Sequence, residues 1–561
     1  METRISAQYK RWLQRADASL QEALGALGAD SAALEDAFYR NLAFGTGGLR
    51  GVLGPGTNRM NLHTVAKASQ GLANYLCRHF PTERRSVVVS YDSRILSDAF
   101  ARTTACVLAA AGVQVWLYPE LMPTPCLSFA VRALHCAAGI MVTASHNPAK
   151  YNGYKVYNED GCQITLKMAD DILKEIEALD IFDDVHLADF DHALTLGHIR
   201  YIPESIAADY IGAVKAQSLL DSSGIQRNFP MVYTPLNGSG QKPVLRTLTA
   251  CGFTNVSVVE EQRLPDGRFP TCPYPNPEVP EAMSLAIAQA KRLGAALVLA
   301  TDPDSDRIGV AARSGAGEYV LFTGNEIGLL LLDYICARLA EQGRMPAHPV
   351  FIKTIVTSPL AERIAQYYGV ETVNVLTGFK FIGEQIGALE RSGRADDYIF
   401  GFEESCGYLR GSYVRDKDAV VAAMLVSEMF AWYRSRGITL PDALDKLYQA
   451  HGYCLNTLLS YEFDGAAGAA RISRLMAEFR GIAQLGGRAV ENTLDYAPGV
   501  DGLPPADVVR LTLTGGSTVI VRPSGTEPKI KFYLTTMGKD ASAAAAERDA
   551  LRAALEYTLS E

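Results

Sequence analysis

SVVVSY (86–91), DAFARTTACVLAAAG (98–112), VQVWLY (113–118), PCLSFAVRALH (125–135) and AAGIMVTA (137–144) alternate short β-rich runs with longer amphipathic ones. Val, Ile, Tyr and Trp crowd the short runs, while apolar residues recur at helical spacing in the long ones, so the segment reads as strand and helix in turn. Such alternation predicts βα units and a largely parallel sheet. The rhythm returns at PMVYTP (230–235), NVSVVE (255–260), AALVLATD (295–302), PVFIKTIV (349–356), TVNVLT (372–377) and YIFGFEES (398–405), which predicts several α/β domains in series.

Upstream, residues 5–40 read as helical until the glycine-rich FGTGGLRGVLGPG (44–56) ends the pattern. Downstream, helices are expected at AARISRLMAEFRGIAQL (469–485) and SAAAAERDALRAALEYTL (542–559), around the β-rich VVRLTLTGGSTVIVRP (508–523) and IKFYLTT (530–536), which makes a smaller α+β domain. Boundaries are expected near 205, 320 and 450, giving segments 1–205, 206–320, 321–450 and 451–561.

A chain of 561 residues is too long for one core, and 48% hydrophobic content with 20% charge is that of an ordered protein. The net charge of −9 argues against nucleic acid or a membrane surface as partner. Ten cysteines run from Cys77 to Cys454 without a C-x-x-C pair, so reduced, buried thiols are expected. The N-terminal METRISAQYKRWLQRAD is charged where a secretory signal needs an apolar core, and no run is long enough to span a membrane, so a cytoplasmic location is expected. No heptad pattern defines an oligomeric state.

Four loops carry candidate chemistry. In TASHNPAKYNGYKVY (143–157) a strand-like run stops at Ser145, where open α/β sheets present ligands; the serine reads as a nucleophile or phosphate carrier, although S-H-N-P alone is also plain turn chemistry. Lys155, ten residues on (155 − 145), is placed to fold back as a general base. ATDPDSDRIGV (300–310) sets Asp302, Asp304 and Asp306 at alternate positions after an apolar strand, hard oxygen ligands that suit Mg²⁺. An EF-hand is excluded, since Arg307 and Arg313 stand where that loop needs Gly and Glu. In GFEESCGYLRGSYVRDKD (401–418), Glu403 and Ser405 face one way on an extended segment and could hold neighbouring sugar hydroxyls, or be ordinary strand-end polar groups. VRPSGTEPKIKFY (521–533) offers Arg522, Ser524, Gly525, Thr526 and Lys529 as a phosphate grip between strands. Arg50, in the glycine-rich run, is a weaker phosphate candidate.

From about residue 40 to 535 these loops, in this order, resemble the α-D-phosphohexomutase superfamily: TASHNP, DPDSDR, FEES-C-GY and RPSGTEPK. Within it the chain looks like the branch of phosphoglucomutases and phosphopentomutases, which also holds glucose 1,6-bisphosphate synthases. The resemblance implies four domains around a central cleft, three α/β mixed-sheet domains followed by a smaller C-terminal one. It also implies a mutase that interconverts sugar 1- and 6-phosphates, or 5-phosphates for a pentose, by way of phosphorylated Ser145. Mg²⁺ would sit on Asp302, Asp304, Asp306 and a phosphoserine oxygen, with glucose 1,6-bisphosphate as priming activator. Arg50 and Arg307 would lie near the reacting group, with Lys155 as base and Lys417 as the acid, and His146 would bind substrate. Glu403, Ser405 and Lys380 of LTGFK (376–380) would read the sugar, and Arg522, Ser524, Gly525, Thr526 and Lys529 its distal phosphate. The partner expected is a small phosphosugar.

Two departures stand out. Many relatives have glycines where this chain has Pro303 and Ser305, and place a His two residues after the Ser-Gly that ends the sugar loop, whereas here an extra Cys406 precedes Gly407 and Tyr408, which makes Lys417 the substitute acid by resemblance. Mutase and bisphosphate synthase share every motif, and so remain alternatives at this level. A silent sugar-phosphate-binding protein should have lost Ser145, a metal-loop Asp or Arg522, and all are present.

Overall fold

The computed structural model describes residues 2–45, 47–220, 224–463, 465–500, 502–524 and 529–560. The chain forms two compact units: Met1–Ala312 with Gly383–Ala395 and Gly407–Ala431, and Arg313–Ile382 with Asp396–Cys406 and Trp432–Glu561.

In the first unit the predicted helical stretch is three helices, Glu2–Arg15, Ala18–Leu27 and Ser31–Phe38, because Asp17 and Asp30 cap the second and third by accepting from backbone N–H groups of their first turns. Their apolar faces close on Trp12, Leu24 and Phe38. Next comes a seven-stranded sheet of β1 (Phe44–Gly45), β2 (Gly48–Val52), β3 (Ser86–Tyr91), β4 (Gln114–Leu117), β5 (Ala138–Val142), β6 (Tyr151–Asn158) and β7 (Ile199–Tyr201), in the order β1-β2-β6-β5-β3-β4-β7. β5, β3, β4 and β7 are parallel, as the opening sequence predicts, while the β2–β6 and β5–β6 pairs are antiparallel. The strands β8 (Met231–Thr234), β9 (Val256–Val258), β10 (Leu297–Thr301) and β11 (Ile308–Arg313) build a second sheet, β9-β8-β10-β11, parallel except for β10–β11. All five residues of β10 are buried, so the acidic loop that follows is anchored by an apolar strand.

In the second unit, β12 (Tyr319–Phe322) leads to β13 (Val350–Thr354), β14 (Glu371–Val375) and β15 (Tyr398–Glu403), with β13 parallel to both of its neighbours. β16 (Gly407–Leu409) follows in the segment that belongs to the first unit. The C-terminal part is an antiparallel six-stranded sheet, β17-β22-β21-β20-β19-β18, made of β17 (Tyr453–Glu462), β18 (Gln484–Leu485), β19 (Arg488–Asp495), β20 (Val509–Leu513), β21 (Thr518–Pro523) and β22 (Lys529–Gly538). The helix expected over 469–485 runs instead over Gly465–Gly481, because Gly486 and Gly487, both at positive φ, turn β18 back onto β19. The molecule is thus a mixed α/β protein whose first three sheets carry helical crossovers and whose last is antiparallel.

Candidate active site

Ser145 terminates the run after β5, at φ 51°, in the left-handed region. Its N–H donates to Thr143 Oγ1 at 2.8 Å, and its buried Oγ lies 2.7 Å from Asp302 Oδ2 and 3.1 Å from His146 Nδ1. Burial, with Arg307 and Arg50 nearby, drives the His146 pKa well below its usual value, so the imidazole stays neutral beside the hydroxyl.

Asp302, Asp304 and Asp306 follow β10 and are all buried, with ligand oxygens within 4.8 Å of one another. Asp302 Oδ1 accepts from the N–H groups of Asp306 (3.1 Å) and Arg307 (3.0 Å). Asp304 Oδ2 accepts from Thr124 Oγ1 at 2.9 Å and Lys155 Nζ at 2.8 Å, and Asp306 Oδ2 pairs with Lys417 Nζ at 3.0 Å and Lys155 Nζ at 3.5 Å. Two oxygens remain buried without a hydrogen-bond partner, Asp304 Oδ1 and Asp306 Oδ1. An unpartnered buried carboxylate oxygen is costly, and two of them turned into an all-oxygen cluster fit a hard divalent cation.

The charges are set by this crowding. Burial and repulsion from Asp304 and Asp306 push Asp302 well up, and burial with Asp304 raises Asp306. Burial alone would raise Asp304 too, but Lys155 overrides it and holds that carboxyl below the ordinary range. Burial would pull Lys155 down; Asp304 and Asp306 outweigh it and raise the ammonium, so Lys155 stands protonated in this arrangement.

Arg307 pairs with Glu278 at 2.9 Å, and its Nε is 3.8 Å from Asp306 Oδ1. Arg50 sits on β2 opposite Gly153 of β6, and Lys155 of β6 stands opposite Gly48. Position 153 must be glycine, since a Cβ there would lie 2.5 Å from Thr143 O and push the nucleophile loop off the β2–β6 ladder. Within one compact unit the fold therefore gathers Ser145, His146, Lys155, Arg307, Lys417 and the three aspartates, with Arg50 on the adjoining strand.

The second unit carries the remaining candidates. Ser405 Oγ donates to Glu403 Oε1 at 2.9 Å, in agreement with their shared face, and Thr354 Oγ1 donates to Glu404 Oε2 at 3.3 Å. Gly324, at the start of the helix Gly324–Glu341, has no room for a Cβ: it would meet Glu404 O at 2.1 Å and Cys406 N at 2.6 Å, so the helix and the loop after β15 touch backbone to backbone. Lys380 opens the helix Phe379–Arg391, its Nζ 5.3 Å from the Phe381 ring centroid. Arg522 lies on β21 opposite Lys531, Ser524 N donates to Lys529 O at 2.8 Å, and Lys529 Nζ pairs with Glu462 at 2.6 Å. Gly525 and Thr526 lie outside the described residues.

Sequence reasoning missed Thr124, Asp92, Arg94 and Glu278. Asp92 and Arg94 sit in YDSR directly after β3, the same strand-end position that flagged Ser145; Thr124 gave no local signal.

Fold and site define a multidomain α/β enzyme with a serine held against a three-carboxylate loop. Profiles of phosphoglucomutase/phosphomannomutase domains I, II, III and C-terminal match residues 41–181, 208–315, 323–451 and 468–554. The chain belongs to the phosphoglucomutase/phosphomannomutase family, in the α-D-phosphohexomutase superfamily, whose enzymes act on small phosphosugars. It is 36% identical over 539 residues to a phosphoglucomutase of Staphylococcus aureus, covering 93% of this chain and 94% of that one. It is 38% identical over 514 residues to a phosphoglucomutase of Staphylococcus haemolyticus, covering 89% and 91%. A solved phosphoglucomutase/phosphomannomutase family protein from Burkholderia thailandensis shares the fold at TM-score 0.68 and 20% identity, covering 92% of this chain and 97% of that one. Among the described residues no helix is long and apolar enough to cross a membrane.

Proposed function

We propose that the chain acts as a phosphoglucomutase, moving a phosphoryl group between O1 and O6 of glucose through phosphorylated Ser145 and a glucose 1,6-bisphosphate intermediate that also primes the serine. The observation that carries this reading is Ser145 Oγ at 2.7 Å from Asp302 inside a cluster with two unpartnered carboxylate oxygens. Mg²⁺ held by Asp302, Asp304 and Asp306 would supply charge neutralisation for the transferring phosphoryl group. Arg307 and Arg50 would orient phosphoryl oxygens, and neutral His146 would hold the serine oxygen in line. Lys155 is the candidate base on the sugar hydroxyl once its pairing with Asp304 and Asp306 is loosened, and Lys417 the candidate acid. In the other unit, Glu403, Ser405 and Lys380 would read the sugar, with Arg522, Ser524, Gly525, Thr526 and Lys529 holding the phosphate that does not react. We assign these roles to four domains, 1–205, 206–320, 321–450 and 451–561. A cytoplasmic setting accords with the ten free cysteines, nine of them buried.

The test is a coupled assay with Mg²⁺ and trace glucose 1,6-bisphosphate, comparing glucose 1-phosphate with ribose 1-phosphate. Glucose 6-phosphate formation supports the proposal. Preference for ribose 1-phosphate, or accumulation of bisphosphate on adding 1,3-bisphosphoglycerate without mutase turnover, overturns it in favour of a pentose mutase or a synthase.

A further inference from the structure

Ser145 is gripped at both ends of its peptide unit by two residues from the end of β3, Asp92 and Arg94, neither of which touches its hydroxyl. On the amide side, Thr143 Oγ1 donates to Asp92 Oδ2 at 2.6 Å and accepts from Ser145 N at 2.8 Å. On the carbonyl side, Arg94 Nη2 donates to the carbonyl oxygens of Ser145 and Asn147, while Nη1 donates to those of Pro148 (3.1 Å) and Tyr151 (3.0 Å). All four terminal guanidinium hydrogens thus serve one loop, four carbonyls within seven residues.

The clamp is itself fixed. Arg94 Nε lies 3.5 Å from Asp92 Oδ2, Arg94 N and Ser97 Oγ donate to Asp92 Oδ1 at 2.9 Å each, and both side chains of the pair are fully buried. The Phe269 ring lies 5.1 Å from the guanidinium carbon, and Gly267 bridges to Arg94, so the segment after β9 closes over the arginine.

We propose that Arg94, locked by Asp92, is the positioning residue that holds the Ser145 loop in its left-handed turn and so aims Oγ at Asp302. A loop with four inward carbonyls would otherwise hydrate or relax, since buried carbonyls need donors. Ser145 at φ 51° is in a conformation that a non-glycine residue adopts when its surroundings impose it. Lysine cannot replace the arginine: its donors leave one point, whereas the guanidinium reaches four acceptors from a planar fork.

The inference rests on the mutase reading for its kinetic arm, so the test has an arm that does not. In full-length Arg94→Lys, amide exchange followed by mass spectrometry should accelerate at least about tenfold in peptides spanning 143–151, with distant peptides unchanged. Turnover should fall about 10²-fold, the scale for a reacting atom displaced by about an ångström, with KM within about threefold. In Arg94→Ala, guanidinium at tens of millimolar should restore at least about tenfold of the lost kcat, which a general loss of fold would not allow. A folded Arg94→Lys with unaltered exchange over 143–151 and unaltered kcat overturns the proposal, as does a loss of kcat accompanied by faster exchange throughout the chain. Absence of mutase turnover in the parent protein would remove the mutase reading, and the exchange arm would still decide on Arg94.

Discussion

Replacing Thr124 by valine tests whether the acidic loop is a metal site whose geometry is set from outside the loop. Thr124 starts the helix Thr124–Ala133, is fully buried, and donates through Oγ1 to Asp304 Oδ2 at 2.9 Å, while its N–H donates to Asp304 O at the same distance. Valine keeps the shape and the backbone bond but deletes the hydroxyl. A hydrogen bond to a charged group is worth about 1.5–3 kcal/mol, or about 10- to 150-fold in an equilibrium constant. Lys155 remains on the same oxygen, so Asp304 keeps its charge and loses its orientation. The half-saturating Mg²⁺ concentration should therefore rise about 10- to 100-fold, the usual cost of removing a group that orients a metal ligand. At saturating Mg²⁺ most of the turnover should return. Thr124→Ser, which restores the donor, should lie close to the parent. Activity against Mg²⁺ for the three proteins is the assay. A half-saturation unchanged within about twofold in folded Thr124→Val would refute the reasoning, since deleting that donor should cost at least tenfold.

Ser145→Ala should abolish turnover and still bind glucose 1-phosphate by calorimetry; near-normal rates would rule out the phosphoserine route. Arg522→Ala should raise KM about 10-fold or more with a smaller fall in kcat, because it would remove a bidentate hold on the non-reacting phosphate; an undiminished affinity would take β21 out of the site. Gly324→Ala should disturb the sugar loop through Glu404 O and Cys406 N, raising KM while leaving Mg²⁺ activation unaltered; unchanged kinetics would show that the helix start and the loop can part without consequence. His63, packed against Trp12 and Phe182, has its pKa lowered by burial despite Asp17. A depressed folded-state pKa means the unfolded state takes up the proton first. The neutral imidazole's contribution is thus complete above the ordinary pKa of about 6.5 and is lost as pH falls through the lower folded value. Protection factors for amide exchange over residues 2–38, with the intrinsic pH dependence of exchange divided out, should fall from pH 7 to 5, and His63→Gln should flatten that dependence; an equal slope in the variant would assign it elsewhere.

Much of the candidate site was legible because its residues are local to a few loops. Ser145, the three aspartates, Glu403 with Ser405, and Arg522 each sit where an apolar strand gives way to a polar turn, and burial along β5 and β10 fixes where those turns begin. Lys155 was legible as a strand residue near the serine, but its attachment to Asp304 and Asp306 was not, since spacing along the chain carries no information about a partner 149 residues away. Thr124 and Asp304 are 180 residues apart, and a threonine before a helix reads as an ordinary start. Arg94 was hidden for another reason: its acceptors are backbone carbonyls, which every sequence supplies. One expected helical stretch divides at the aspartate caps 17 and 30, and one expected helix shifts ahead of the Gly486-Gly487 turn, short signals that a long apolar pattern outweighs in the sequence.

Three of the candidate loops share one feature of the backbone. Ser145, Ser305 and Cys406 stand at φ 51°, 51° and 57°, one in each of the nucleophile, metal and sugar loops. A non-glycine residue there costs about 1–2 kcal/mol. Ser305 and Cys406, like Ser145, therefore carry strain that glycine at the same φ would avoid. Local sequence does not favour these turns; the neighbours impose them. Ser305 is held by its N–H on Asp302 O at 2.9 Å and by Ala419 N on its own carbonyl at 3.2 Å, Cys406 by the helix start at Gly324, and Ser145 by Thr143 and Arg94. Phosphoryl transfer depends on positioning more than on covalent assistance, and loops fixed from outside keep their geometry when charge moves through them. The same reasoning accounts for where the candidate loops and the supporting residues part company in sequence: the loops are short and self-announcing, and the groups that bend them are scattered over the strands and helices against which they rest.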